Sequence, residues 1–306
     1  MSRSIKDYVI ISLKGMAMGA ADVVPGVSGG TIAFISGIYE ELLTSISNIN
    51  LRLLKVLKSE GLKAAWVQAN GSFLLSLLIG IFVSVVSLAK ILKWLLENEP
   101  TLLWSFFFGL ILASVIYIGK QIKKWNVLTF FVLLIGAVLA YYITTLNPMV
   151  NESSSSLFLF LAGAIAICAM ILPGISGAFI LVLLGAYQPV LAAVNNRDLT
   201  IVSVVGAGAV VGLLTFSRIL KWLFANFKNY TLAVLTGFII GSLNKIWPWK
   251  ETLTWRVNSH GIEVPFKQQS VSPFAVEDGQ LLFAILLAMG GFSLILLLER
   301  LAVNKE

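Results

Sequence analysis

Two six-residue stretches carry the residue types and spacing best suited to chemistry: Pro25-Gly26-Val27-Ser28-Gly29-Gly30 and Pro173-Gly174-Ile175-Ser176-Gly177-Ala178, each inside a long apolar run. Proline withholds a backbone donor and blocks the helix behind it, and glycine accepts the angles of a broken chain, so each stretch should interrupt a helix. A helix restarting at Ser28 or Ser176 presents unpaired N–H groups and the positive end of its dipole, the local chemistry of an anion site. Gly29, Gly30 and Gly177 let an anion approach the backbone, and the hydroxyls of Ser28, Thr31 and Ser176 add donors. The ligand class is a phosphate or a carboxylate. The plainer alternative is a tight crossing of two hairpins, glycine against glycine, with the serines satisfied by backbone.

The ionisable residues near the two stretches are unequal. Lys14 and Asp22 precede the first, where the second has Ala162 and Met170; Glu40 and Glu41 follow the first, where the second has Gln188 and Pro189. Charge at membrane depth is costly and is usually functional. Lys14 could complement a phosphate or snorkel to the interface, and Asp22 could carry a coupling proton. Eight helical residues separate them by about 12 Å, so they do not pair directly. Glu40 and Glu41 read as a gate or a solvated helix end. Arg218 is either a second phosphate ligand or, like Lys90, a snorkelling cation. His260 falls in a polar turn, and no metal-binding cluster is legible.

The elements that must position these residues lie in a bilayer. Of 306 residues 58% are hydrophobic and 12% charged, and mean hydropathy is +0.91, which excludes a soluble domain. The excess of 22 Lys+Arg over 15 Asp+Glu sits in short loops beside apolar runs, as membrane orientation requires, so a nucleic-acid partner is not expected. Cys168 is the only cysteine, so an intrachain disulfide is impossible. The N-terminal stretch with Arg3 and Lys6 runs straight into the first motif and does not read as a cleaved signal.

In chain order the apolar pattern predicts a re-entrant element over 8–46, a basic surface helix over 51–66, and spans over 72–96, 101–119 and 127–146. A polar linker at Asn151-Glu152 and the following serines precedes a second re-entrant element, 156–194, and spans over 200–224, 230–246 and 280–299. The long polar segment 247–279 predicts a small hairpin, with 253–257 and 262–264 alternating around Asn258-Ser259-His260-Gly261, and Trp247, Trp249 and Trp255 at the interface.

The chain is a duplication, 1–150 and 151–306. Pro25 aligns with Pro173, Gly37 with Gly185 and Tyr39 with Tyr187, at an offset of 148; KILKWL at 90–95 aligns with RILKWL at 218–223, and Gly109 and Ser114 with Gly237 and Ser242, at 128. The surface helix, present only in the first half, accounts for the difference. If each broken element leaves on the side it enters, each half crosses three times and the halves are inverted. With the N-terminus cytoplasmic, that places Arg52, Lys55, Lys58, Lys63, Lys120, Lys123 and Lys124 inside and Glu97, Glu99 and Glu152 outside, in line with the positive-inside bias. The expectation is an all-α integral membrane protein with an inverted-topology repeat, each half a re-entrant helix hairpin plus three transmembrane helices.

The duplicated PGVSGG and PGISGA breaks, with the lead-in GMAMGAADVVPGVSGGTIA, resemble the bacterial polyprenyl-phosphate translocases of the PopT type, formerly a domain-of-unknown-function family, over essentially the whole chain. The resemblance implies a non-enzymatic flippase of the bacterial plasma membrane. Such a protein recycles undecaprenyl phosphate from the outer to the cytoplasmic leaflet, needs no cofactor and is driven by an H+ or Na+ gradient. Two other readings stay open. Undecaprenyl-pyrophosphate phosphatases also pair re-entrant helices with a Pro-Gly-x-Ser motif, but there an arginine follows the serine, where this chain has Gly29 and Gly177. A small-anion transporter could use the same half-helix ends.

Overall fold

The computed structural model describes residues 3–24, 27–146, 155–257, 263–276 and 280–303. Pro25, Gly26, the Asn151-Glu152 linker and the expected turn around His260 lie outside the described residues.

The chain is a multi-pass helical membrane protein. Its first half comprises α1 (Ile5–Val23), α2 (Gly29–Ile35), α3 (Tyr39–Ser47), α4 (Leu51–Ser59), α5 (Gly61–Gln68), α6 (Gly71–Asn98), α7 (Pro100–Gln121) and α8 (Val127–Thr145). There follow α9 (Ser156–Ile171), α10 (Gly177–Leu183), α11 (Tyr187–Asn195), α12 (Leu199–Ser242), a 3-10 turn (Leu243–Ile246), β1 (Lys250–Val257), β2 (Glu263–Ser270) and α13 (Leu281–Val303). Helix starts follow their caps. Ser4 and Asp7 form a capping box on α1. Asn126, Ser155 and Asp198 cap α8, α9 and α12 through their side chains, and Pro100 occupies the first position of α7, where a missing N–H costs nothing.

Element boundaries repeat with the sequence offsets. Helices α10 and α11 begin and end 148 positions after α2 and α3. Gly37 and Gly185 both take φ +73° between them, a left-handed turn that glycine makes without strain. The α6–α7 junction at Glu99 has φ −133°, ψ 51°, and 128 positions later Phe227 inside α12 has φ −135°, ψ 41°. The two spans expected over 200–224 and 230–246 are accordingly two helical stretches that meet at a kink at Phe227. Together their 44 residues are enough for two crossings. Two boundaries differ. The expected surface helix is two helices, broken where Gly61 takes φ +85°, and the hairpin strands are longer than the alternating residues alone indicated.

Helices pair by close backbone approach. Gly80 of α6 packs against the Ser12 carbonyl of α1, and Gly208 of α12 against the Phe160 carbonyl of α9, positions where any Cβ would collide with backbone. Across the duplication, α8 packs on the second part of α12 through Gly237 and Gly241, and α13 packs on α7 through Gly109 and Gly291. Helices α8 and α13 thus each pack on an element far from them in sequence.

This arrangement encloses the first broken element. Every residue of α2 is buried, in a core that includes Val24, Val27, Tyr39, Ile111, Phe224, Leu232 and Ile239. Helix α10 is less enclosed, with Gly177, Ile180 and Leu183 buried, and turns by 112° into α11. The hairpin is antiparallel, pairing Lys250 with Ser270. Trp247 fixes its base: the indole donates to the Val271 carbonyl at 2.9 Å and packs edge-on against Phe108 of α7 at 5.4 Å.

Candidate functional site

A broken helix leaves orphan donors on one side of the gap and orphan carbonyls on the other. In this protein the first break supplies hydroxyls to the second. Ser28 Oγ donates to the carbonyls of Met170 at 3.0 Å and Leu172 at 3.3 Å, while accepting from the Gly30 N–H at 3.1 Å as the N-cap of α2. Tyr39 donates to the Ile171 carbonyl at 3.1 Å. Thr31 Oγ1 accepts from the Gly174 N–H at 3.0 Å. Met170 and Ile171 are the last turn of α9, so these bonds satisfy carbonyls that α9 itself cannot. Each contributes about 1 kcal/mol net, and leaving the same groups unpaired costs more. Gly30 makes the crossing possible, because a Cβ there would strike the Ile171 carbonyl.

The acid and the cation on α1 are both used on α2. Asp22 Oδ1 accepts from the Gly29 N–H at 2.7 Å, at the electropositive start of α2. Lys14 Nζ donates to the Ser36 carbonyl at 2.6 Å, at the electronegative end. The eight-residue spacing on α1 matches the seven-residue length of α2, so each charge meets the dipole end that favours it.

Ser28, Gly29, Gly30, Thr31, Asp22 and Lys14 therefore gather around α2, with residues 170–174 of the second break against it. Ser176 is buried and begins α10 without a side-chain cap bond. Gly177 lies against the Ala166 carbonyl. Arg218 is not among this group: it is exposed on α12, and donates to the Ile49 carbonyl at 3.1 Å. Glu40 pairs with Lys228, next to the Phe227 kink, at 2.7 Å. Glu41 pairs with Arg3 at 2.7 Å and accepts from Asn70 at 2.7 Å. The two glutamates tie α3 to α12, to the segment before α1, and to the start of α6.

The plainer alternative, a tight crossing with the serines satisfied by backbone, describes what Ser28 and Gly30 do here, but the sequence singles out neither the carbonyls of 170–172 nor the hydroxyl of Tyr39. The signal was available: a break that frees N–H groups on one side frees C=O groups on the other. In the sequence Tyr39 stands out only as a position repeated at Tyr187.

Comparison with known proteins agrees with the resemblance in the motifs. The family model described as undecaprenyl phosphate translocase-like matches residues 18–264. The polyprenyl-phosphate transporter of Vibrio cholerae is 51% identical over 307 residues, covering 99% of each chain. The polyprenyl-phosphate transporter of Staphylococcus aureus is 34% identical over 253 residues, 77% of this chain and 85% of that one. Both relatives are named as transporters, not enzymes. No solved structure matches the chain. With the model covering both breaks and one relative aligned end to end, the chain belongs to the undecaprenyl phosphate translocase-like family.

Proposed function

We propose that this protein moves a polyprenyl phosphate, undecaprenyl phosphate foremost, from the outer to the cytoplasmic leaflet of a bacterial plasma membrane. In this reading the two halves are inverted, the N-terminus is cytoplasmic and both broken elements are re-entrant. The phosphate is held where the breaks meet, by the backbone and hydroxyls of Ser28, Gly29, Gly30, Thr31, Ser176 and Gly177, while the prenyl tail stays in lipid. The observation that carries the reading is the direct bonding of one break to the other through Ser28, Thr31 and Tyr39.

Asp22 gives the reading a mechanism. Its carboxylate occupies the start of α2, where a phosphate would bind, so it acts as an internal anion that the substrate displaces. A proton on Asp22 removes its charge and favours that exchange, which couples transport to a proton gradient. Met170 stands at the equivalent place before α10, so the second half-helix has no such carboxylate. The Glu40–Lys228 and Glu41–Arg3 pairs gate the inner face, opening when one half rocks against the other. Lys14 serves as a dipole partner of α2 rather than a phosphate ligand. Purified protein in vesicles tests the reading. The expected result is movement of undecaprenyl phosphate between leaflets, with no phosphate released from the pyrophosphate and no flux of soluble phosphate. Release would mean a phosphatase, and flux a small-anion transporter.

A further inference from the structure

The 3-10 turn and the start of β1 bring two lysines together beneath the hairpin. Lys250 Nζ donates to the backbone carbonyl of Lys245 at 2.6 Å, which pins one lysine against the other. The Lys250 ammonium lies 4.1 Å from the centre of the Trp104 ring on α7. The Lys245 ammonium lies 4.6 Å from the centre of Phe179, the third residue of α10. Among the described residues neither ammonium has a carboxylate partner. Glu99, near the start of α7, accepts from Gln280 instead. Beside Lys250 a cavity of about 100 Å³ is lined by Thr101, Trp104, Trp249 and Gln268.

Two like charges held close, half withdrawn from water and without a counter-charge, are an unfavourable arrangement unless an anion completes it. Aromatic faces offset part of the cost. Burial, with the charge of Lys245 added, pushes the Lys250 ammonium down to about 7. A phosphate in the cavity would meet the Lys250 ammonium, the Thr101 hydroxyl and the Gln268 amide, with the charge of Lys245 acting from outside the lining. That is the mixture of point charge and neutral donor that lysine-based phosphate sites use.

We propose that Lys245 and Lys250, with Thr101 and Trp104, form a second oxyanion site, which receives a phosphate group before it reaches the breaks. Its ligand class is a phosphomonoester or inorganic phosphate, and the cavity is too small for a prenyl tail. Lys245 connects this site to the second break, because its carbonyl holds Lys250 and its ammonium covers Phe179, two residues beyond Gly177. The role as a point of entry rests on the transport reading above; the anion site itself does not.

Binding to the full-length protein in detergent tests the proposal, with farnesyl phosphate as probe in one arm and inorganic phosphate in the other. Measurements are made in a Gly29→Leu background, so that the breaks do not contribute. Lys245→Gln and Lys250→Gln should each weaken farnesyl phosphate at least tenfold, and Lys250→Arg should stay within threefold of the parent. Equal affinity for the two probes would make the ligand free phosphate, and selective binding of farnesyl phosphate a lipid headgroup; both support the site. Unchanged affinity in both glutamine variants would overturn it. Should either glutamine variant fail to fold, Thr101→Val, expected to weaken binding severalfold, supplies the same decision. Failure of the transport reading shows separately, as normal transport by Gly29→Leu.

Discussion

Asp22 and Lys14, two turns apart on α1, sit at opposite ends of α2, the acid on the Gly29 N–H and the cation on the Ser36 carbonyl. A seven-residue helix in the middle of a membrane protein has four orphan groups at each end and little length to offset them. The neighbouring helix supplies one charge for each end. This makes the first broken element rigid at rest, and places a removable negative charge at the position the substrate must take.

Replacing Asp22 with Asn keeps an acceptor for the Gly29 N–H but removes the charge. The variant should fold, with a loss of stability of about 1 kcal/mol, and its transport rate should no longer vary with pH as the parent's does. A pH profile superimposable on the parent's would take Asp22 out of the coupling step.

Thr31→Val should leave the Gly174 N–H buried without an acceptor, at a cost of about 1–3 kcal/mol. Thr31→Ser, which keeps the oxygen, should recover most of it. Thermal unfolding in detergent reads both. Equal midpoints for the two variants would mean that the bond does not hold the breaks together.

Glycines at close helix crossings and glycines facing open space should answer oppositely to alanine. Gly208 packs against the Phe160 carbonyl, whereas Gly206, on the same helix, has nothing near it. Gly208→Ala should lower the thermal midpoint, by about 1–3 kcal/mol of overpacking, and Gly206→Ala should hold or raise it through helix propensity. The same response from both would contradict the packing of α9 on α12.

Lys250 sets a pH dependence of stability. Burial, reinforced by Lys245, lowers its pKa to about 7 from the ordinary lysine value of 10.5. Between those values the unfolded chain holds a proton that the folded one has released, so stability rises with pH from about 7 to 10. Below that window both states are protonated and the slope vanishes. Lys250→Met should flatten the rise in thermal midpoint; an unaltered slope would assign it to other groups.

Much of this architecture was legible in the sequence. The helix restarts after Ser28 and Ser176 and their spacing of 148 follow from local backbone chemistry, and α2 and α10 begin there; Gly37 and Gly185 show in the sequence only as a repeated glycine, and the structure makes each a turn between two short helices. The interruptions at Glu99 and Phe227 fall in the polar gaps between the expected spans, Glu97-Asn98-Glu99-Pro100 in the first case and Asn226 to Asn229 in the second. The packing of α8 on α12 and of α13 on α7 was not legible, since glycine contacts such as Gly237 with Leu133 and Gly109 with Ala288 join positions far apart in sequence. Arg218 stays open between its two roles in the sequence for a related reason. Its helical position fixes which face it occupies, but only the packing of α12 shows that this face meets Ile49 rather than the breaks.

The sidedness of the proposed inverted halves can be tested with one cysteine. In a Cys168→Ala background, Lys58→Cys should react with a membrane-impermeant thiol reagent only from the cytoplasmic side. Labelling from outside would leave the halves parallel, and the two breaks without a common approach from opposite leaflets.

The central claim is that the phosphate passes between the two breaks, and leaflet-resolved transport by Gly29→Leu tests it most directly. A side chain there would strike the Asp22 carboxylate, 2.5 Å from the position of its Cβ, and fill the approach to the start of α2. In protein that elutes and melts like the parent, the account predicts loss of undecaprenyl phosphate movement between leaflets. Movement at the parent's rate would contradict it.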